Sequence, residues 1–141
     1  MAEALPTEHT LPDSEDECNK LGKWLCESTT KFEPKHGINE CVDESLNNKI
    51  KPLFRKLGFE ENPDYRVFHM SDKIHLRLPE DRYPYDAIAL GGQKLSNATI
   101  SYAETSAKVQ VKIGTFIRVT RHAYFTSDWY CLVIPKSGLK E

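Results

Sequence analysis

The chain has 141 residues, of which 39% are hydrophobic and 28% charged, with a formal net charge of −2. This is enough for one compact core, so we expect a single α+β domain over residues 13–141 behind a mobile acidic tail at residues 1–12. No run approaches the roughly 18 apolar residues of a membrane-spanning helix, and the start has neither the basic flank nor the apolar stretch of a secretory signal, so we expect a cytoplasmic or nuclear protein without a membrane partner.

The small net charge conceals an asymmetry. Residues 1–48 hold 11 acidic and 4 basic side chains, whereas residues 49–141 hold 10 acidic and 15 basic ones. Such a division marks either a cationic surface for an anionic partner or two parts of one domain that attract each other.

After the tail, Asp13 or Ser14 offers an N-cap, acids at 15, 16 and 17 suit the positive end of a helix dipole, and Leu21, Trp24 and Leu25 form an apolar stripe. This first helix is expected to end before the Pro34 to Gly37 stretch. A second begins at about Asn39 or Asp43 and closes at Gly58, with Val42, Leu46, Ile50, Leu53, Phe54 and Leu57 on one face. Pro52 falls inside it and predicts a kink or a break.

From Tyr65 the period changes to two. The segments YRVFHM, KIHLRLP, YDAIAL, ATISYA, KVQVKI, TFIRVTRHAYF and WYCLVIP are divided by turn signals and predict six or seven strands. The expected architecture is two N-terminal helices packed on an antiparallel meander or partly open barrel.

Alternation then sorts the side chains. With Ile74, Leu76 and Leu78 inward, the opposite row is Lys73, His75 and Arg77; with Val109, Val111 and Ile113 inward it is Lys108, Gln110 and Lys112. With Ile117, Val119 and Ala123 inward, the third row is Arg118, Thr120, His122 and Tyr124. An ordinary wet sheet face explains polar residues at these positions but does not demand cations. If the rows share a face, Lys73, Arg77, Lys108, Lys112, Arg118 and Tyr124 would form a platform for phosphate, with Arg and Lys meeting the anion and the aromatic ring stacking.

The expected function is therefore a binding module for a phosphate-bearing ligand, either a nucleic acid or a nucleotide. One alternative is a metal-free phosphodiesterase or nuclease in which His75 and His122 act as acid and base. Another is a protein-interaction or inhibitor protein with no small ligand. The sequence HMS at His69 to Ser71 half-matches the two-histidine phosphoesterase pattern H-x-[ST], but HAY at His122 does not.

Cys18, Cys26, His36 and Cys41 lack a tight metal-binding knuckle, and Cys131 lies in an apolar run. The thiols are read as buried or idle, with no metal and no cofactor.

Overall fold

The computed structural model describes residues 5–35 and 37–139. In chain order they form β1 (Thr7–Thr10), α1 (Glu15–Leu25), β2 (Phe32–Lys35), β3 (Ile38–Cys41), α2 (Leu46–Lys56), β4 (Arg66–Met70), β5 (Ile74–Leu76), β6 (Tyr85–Ala89), β7 (Thr99–Ser101), β8 (Val109–Gln110), β9 (Thr115–Val119), β10 (Ala123–Phe125) and β11 (Trp129–Pro135). Short 3-10 turns at Glu80–Arg82 and Leu95–Asn97 complete the set.

The strands form two antiparallel sheets, and neither closes. The larger runs β1-β9-β6-β11-β4-β3-β2 and the smaller β5-β10-β7-β8. The expected α+β composition holds, but two open sheets with eleven strands among the described residues replace the six- or seven-stranded meander or barrel. The helices also do not simply precede the sheet, because β1, β2 and β3 are interleaved with them.

Three layers result from strand alternation. In β11, Trp129, Cys131 and Val133 face the smaller sheet, where they pack with Leu76, Ile100, Ala123 and Phe125. Leu132 and Ile134 face the helices, against Leu25, Ile50, Leu53 and Phe54. The larger sheet is thus buried on both faces, which is why WYCLVI is apolar almost without interruption.

Both helices settle on the second face. Cys18, Leu21 and Leu25 of α1, and Leu46, Ile50, Leu53 and Phe54 of α2, are buried there. Ser14 occupies the N-cap of α1, without a side-chain capping bond. The second helix begins later than its sequence pattern predicts, at Leu46, because Asn39 and Glu40 pair with His69 and Phe68 of β4. Pro52 lies inside α2 without ending it. An interior proline costs about 3 kcal/mol, and the buried stripe before and after it holds the helix together.

Residues 7–10, expected within the mobile tail, instead pair with β9 at the sheet edge, and Leu11 donates its N–H to Gly114. Residues 1–4 lie outside the described part of the chain. Among the described residues, no helix is long and apolar enough to cross a membrane.

Helix and sheet approach each other closely at Gly22, where a Cβ would lie 1.7 Å from the Leu90 carbonyl oxygen and 2.9 Å from its carbon. Only a residue without a side chain lets α1 lie this near β6. Replacing Gly22 by Ala is expected to cost about 3 kcal/mol despite alanine's better helix propensity, because backbone must move. Urea unfolding measures it, and an unchanged midpoint would show that α1 is not pinned at this point.

Candidate functional site

From β4 onward the chain passes back and forth between the two sheets, with β7 and β8 following each other in the smaller one, and each crossing needs a corner. The corner between β9 and β10 is Thr120–His122, and it positions the cleft of greatest chemical interest. The segment TFIRVTRHAYF, expected as one strand, divides there. Tyr102, at the end of β7, fixes the corner: its hydroxyl accepts the Thr120 N–H at 3.0 Å and lies 3.1 Å from Thr120 Oγ1.

On the smaller sheet, Ile74 and Leu76 of β5 and Ala123 and Phe125 of β10 turn inward. His75 and Tyr124 stand opposite each other in register, with ring centroids 4.0 Å apart and planes within 1°. The His122 ring lies 6.0 Å from His75 and 5.9 Å from Tyr83. Tyr83 is held from behind, its hydroxyl accepting the Leu78 N–H at 3.0 Å. The Arg121 guanidinium sits 4.4 Å from the centre of the Tyr102 ring, within cation–π range. These side chains line an open cleft of about 750 Å³ whose wall also carries Glu80.

Arg77 Nε donates to His75 Nδ1 at 3.1 Å, so Nδ1 keeps its lone pair and the proton resides on Nε2. The His75 pKa lies below its ordinary 6.5, first because of burial, then because of the Arg77 and His122 charges, with Glu104 opposing. A neutral imidazole stacked on a phenol is therefore the state near neutral pH.

Of the residues singled out from sequence, His75, His122 and Tyr124 converge, and Arg77 touches this group. The three rows do not lie on one face, because Arg118 belongs to the larger sheet. Lys73 occupies a left-handed turn residue before β5, with φ 54°. Lys108 Nζ donates to the Glu104 carbonyl at 2.8 Å, and Lys112 Nζ lies 3.9 Å from Glu8 Oε2; neither lines the cleft.

Arg118 departs furthest from expectation. It is on β9, in the larger sheet, and its Nε and Nη2 donate to the two carboxylate oxygens of buried Asp86 at 2.9 and 3.0 Å. Nη2 also donates to the Leu139 carbonyl at 2.8 Å, and Ser137 hydrogen-bonds to Asp86. This pair ties the last described residues to the sheet. Arg118 and Tyr124 share a parity in sequence but belong to different sheets, because the chain changes layer between them.

Tyr102 falls in the strand segment ATISYA and Tyr83 in the loop before YDAIAL. Nothing in local alternation shows that both meet the Thr120–His122 corner. His69 of the HMS element lies on the helix side of the larger sheet, stacked 4.7 Å from Tyr130, with Nε2 2.5 Å from Asp128 Oδ1. It is not a member of the His75–His122 pair.

Cys18, Cys41 and Cys131 are buried and Cys26 is exposed; burial pushes the Cys18 thiol up to about 12. His36 lies outside the described residues, among which no group of three or more His, Cys, Asp or Glu converges as a metal site would require.

No family model matches the chain, and no curated protein matches it. Among solved structures it is similar to a chain from a crystal structure of Drosophila melanogaster CENP-C bound to CAL1, with 11% identity, a TM-score of 0.42, and coverage of 85% of this chain and 97% of that one. A likeness of this degree carries no functional argument.

The His75 geometry has a pH signature. The unfolded chain takes up this proton near 6.5 and the folded chain only at lower pH. Its stabilising contribution is complete above 6.5 and is lost as pH falls from there through the depressed value. An NMR titration of the His75 ring is expected to show a midpoint below 6.5, moving upward in Arg77→Gln. A midpoint unaffected by that substitution would remove Arg77 as a cause.

Proposed function

We propose that this chain is a binding module that receives a nucleotide, free or as one unit of a single strand, in the aromatic cleft between β5, β10 and the Thr120–His122 corner. The observation that carries the reading is the meeting of three phenols and two imidazoles, Tyr83, Tyr102, Tyr124, His75 and His122, around one cleft with Arg121 in its wall. Flat aromatic faces suit a base, and stacking of this kind contributes about 1–3 kcal/mol per base. Arg121 and Arg77 supply positive charge within reach of the same group for the phosphate.

Adenosine monophosphate and a short oligothymidine, titrated into the protein by calorimetry, test the reading. Tyr124→Ala is expected to weaken binding about tenfold, corresponding to one lost stacking contact. Arg77→Glu is expected to weaken the phosphorylated ligand but not adenosine, whereas Lys112→Glu leaves both unchanged. Equal affinity for the Tyr124→Ala protein and the parent would overturn the proposal.

A second reading is favoured by one distance, the 6.0 Å between the His75 and His122 rings. Two imidazoles in one cleft are the parts that metal-free phosphodiester cleavage requires, one accepting a proton from the attacking oxygen and the other donating to the leaving oxygen. A cyclic dinucleotide or short RNA incubated with the protein tests this. The enzyme reading expects His122→Ala to abolish turnover while nucleotide affinity is largely kept; no cleavage by the parent protein would leave the binding module alone.

A further inference from the structure

On the other side of the Leu78–Tyr83 loop, a separate cleft of about 300 Å³ is lined by Arg66, Arg77 and Arg82 together with Leu78, Pro79 and Pro135. The geometry points to a second site there, built for a phosphoryl group, which shares Arg77 with the aromatic cleft but none of its stacking rings. The three guanidinium groups arrive from three places: β4, the segment after β5, and the 3-10 turn.

The backbone at each of these residues is held in place. Arg66 pairs in register with Val133 of β11. Arg82 donates its N–H to the Pro79 carbonyl at 2.9 Å, and the Leu78–Tyr83 hydrogen bond closes the loop that carries it. Arg77 is directed by its bond to His75.

Two of the three arginines have a carboxylate partner. Arg66 Nη1 reaches Glu40 Oε1 at 3.1 Å, and Arg82 Nη1 reaches Asp64 Oδ2 at 2.5 Å. Both acids line a neighbouring cleft of about 240 Å³ that shares the two arginines and also contains Lys35. Each contact uses a single nitrogen, and among the described residues the other N–H groups of both guanidinium groups have no hydrogen-bond acceptor. Arg77 has no carboxylate partner among the described residues. The three-arginine cleft itself has no acidic residue in its wall.

Glu40 and Asp64 offset two of the three charges, so the arginine cluster keeps a net positive charge at the recess, and a bound anion would balance it. Guanidinium is planar and presents paired donors, a geometry matched by the oxygens of phosphate. Three such groups around a single recess suit a dianion with tetrahedrally disposed oxygens better than a single carboxylate. The apolar floor of Leu78, Pro79 and Pro135 offers no competing acceptor side chain.

The experiment uses the full chain with inorganic phosphate and pyrophosphate as probes and succinate as the carboxylate arm. Calorimetry, together with NMR of the arginine side-chain N–H groups, is expected to show phosphate binding that perturbs Arg66, Arg77 and Arg82. Arg66→Gln and Arg82→Gln should each weaken it about tenfold, the equivalent of one charge-assisted hydrogen bond. Tyr124→Ala should leave it unchanged, which separates this site from the aromatic cleft. Phosphate affinity unaltered by both arginine substitutions, or arginine resonances unmoved in the parent protein, would overturn the site. Succinate binding as tightly as phosphate would overturn its assignment to a phosphoryl group. The arginine resonances of the parent protein decide the matter even if a variant fails to fold.

Discussion

The structure depends on one sheet being buried on both faces. β11 sits at its centre between β6 and β4, and Trp129, Cys131, Leu132, Val133 and Ile134 are all fully buried. Burial of such side chains is worth about 1.5–3 kcal/mol each before conformational entropy is set against it. Two separate cores hang on that sheet: the helices cover one face and the smaller sheet covers the other. Neither cover would have a continuous apolar partner without it, and the lack of room for even a Cβ at Gly22, beside the Leu90 carbonyl, shows how closely the helical layer is drawn down.

Covering the second face obliges the chain to travel back and forth between layers. β4, β6, β9 and β11 lie in the larger sheet, and β5, β7, β8 and β10 in the smaller. Each crossing is a corner whose polar groups need partners outside a regular ladder. At Thr120–His122 the phenol of Tyr102 supplies one, and the corner presents Arg121 and His122 beside the Tyr124–His75 stack. The aromatic cleft is in this sense a by-product of the layer change. The loop Leu78–Tyr83 serves both candidate sites, with Tyr83 turned to one side and Arg82 to the other.

The cations do not act as a single surface. Arg118 is committed to Asp86 through a bidentate pair, and with Asp86 almost wholly buried this interaction belongs to the architecture. Removing either partner would leave a buried charge uncompensated, which makes such pairs hard to dismantle even where their net stabilisation is small. Lys108 and Lys112 are satisfied locally at the surface. Arg77 is differently placed, between the aromatic cleft and two further arginines that sequence spacing had not connected with it.

What the sequence determined by itself was periodicity and therefore local form. The stripe Leu21, Trp24 and Leu25, the stripe Leu46, Ile50, Leu53 and Phe54, and the alternation of His75 against Ile74 and Leu76 all correspond to elements of the fold. Membership of His75 and Tyr124 in polar rows was legible in the same way, since side-chain direction along a strand is a local property, whereas His122 reaches the cleft from the corner between strands. What only the tertiary structure decided was which layer each strand joined. Pairing of Ile38–Cys41 with β4 shortened the second helix, and pairing of Thr7–Thr10 with β9 ordered part of the expected tail. The corner after Val119 sent Arg118 and Tyr124 to different sheets. Strand partners are chosen by contacts between residues far apart in sequence, and a period of two specifies a face without specifying the sheet to which that face belongs.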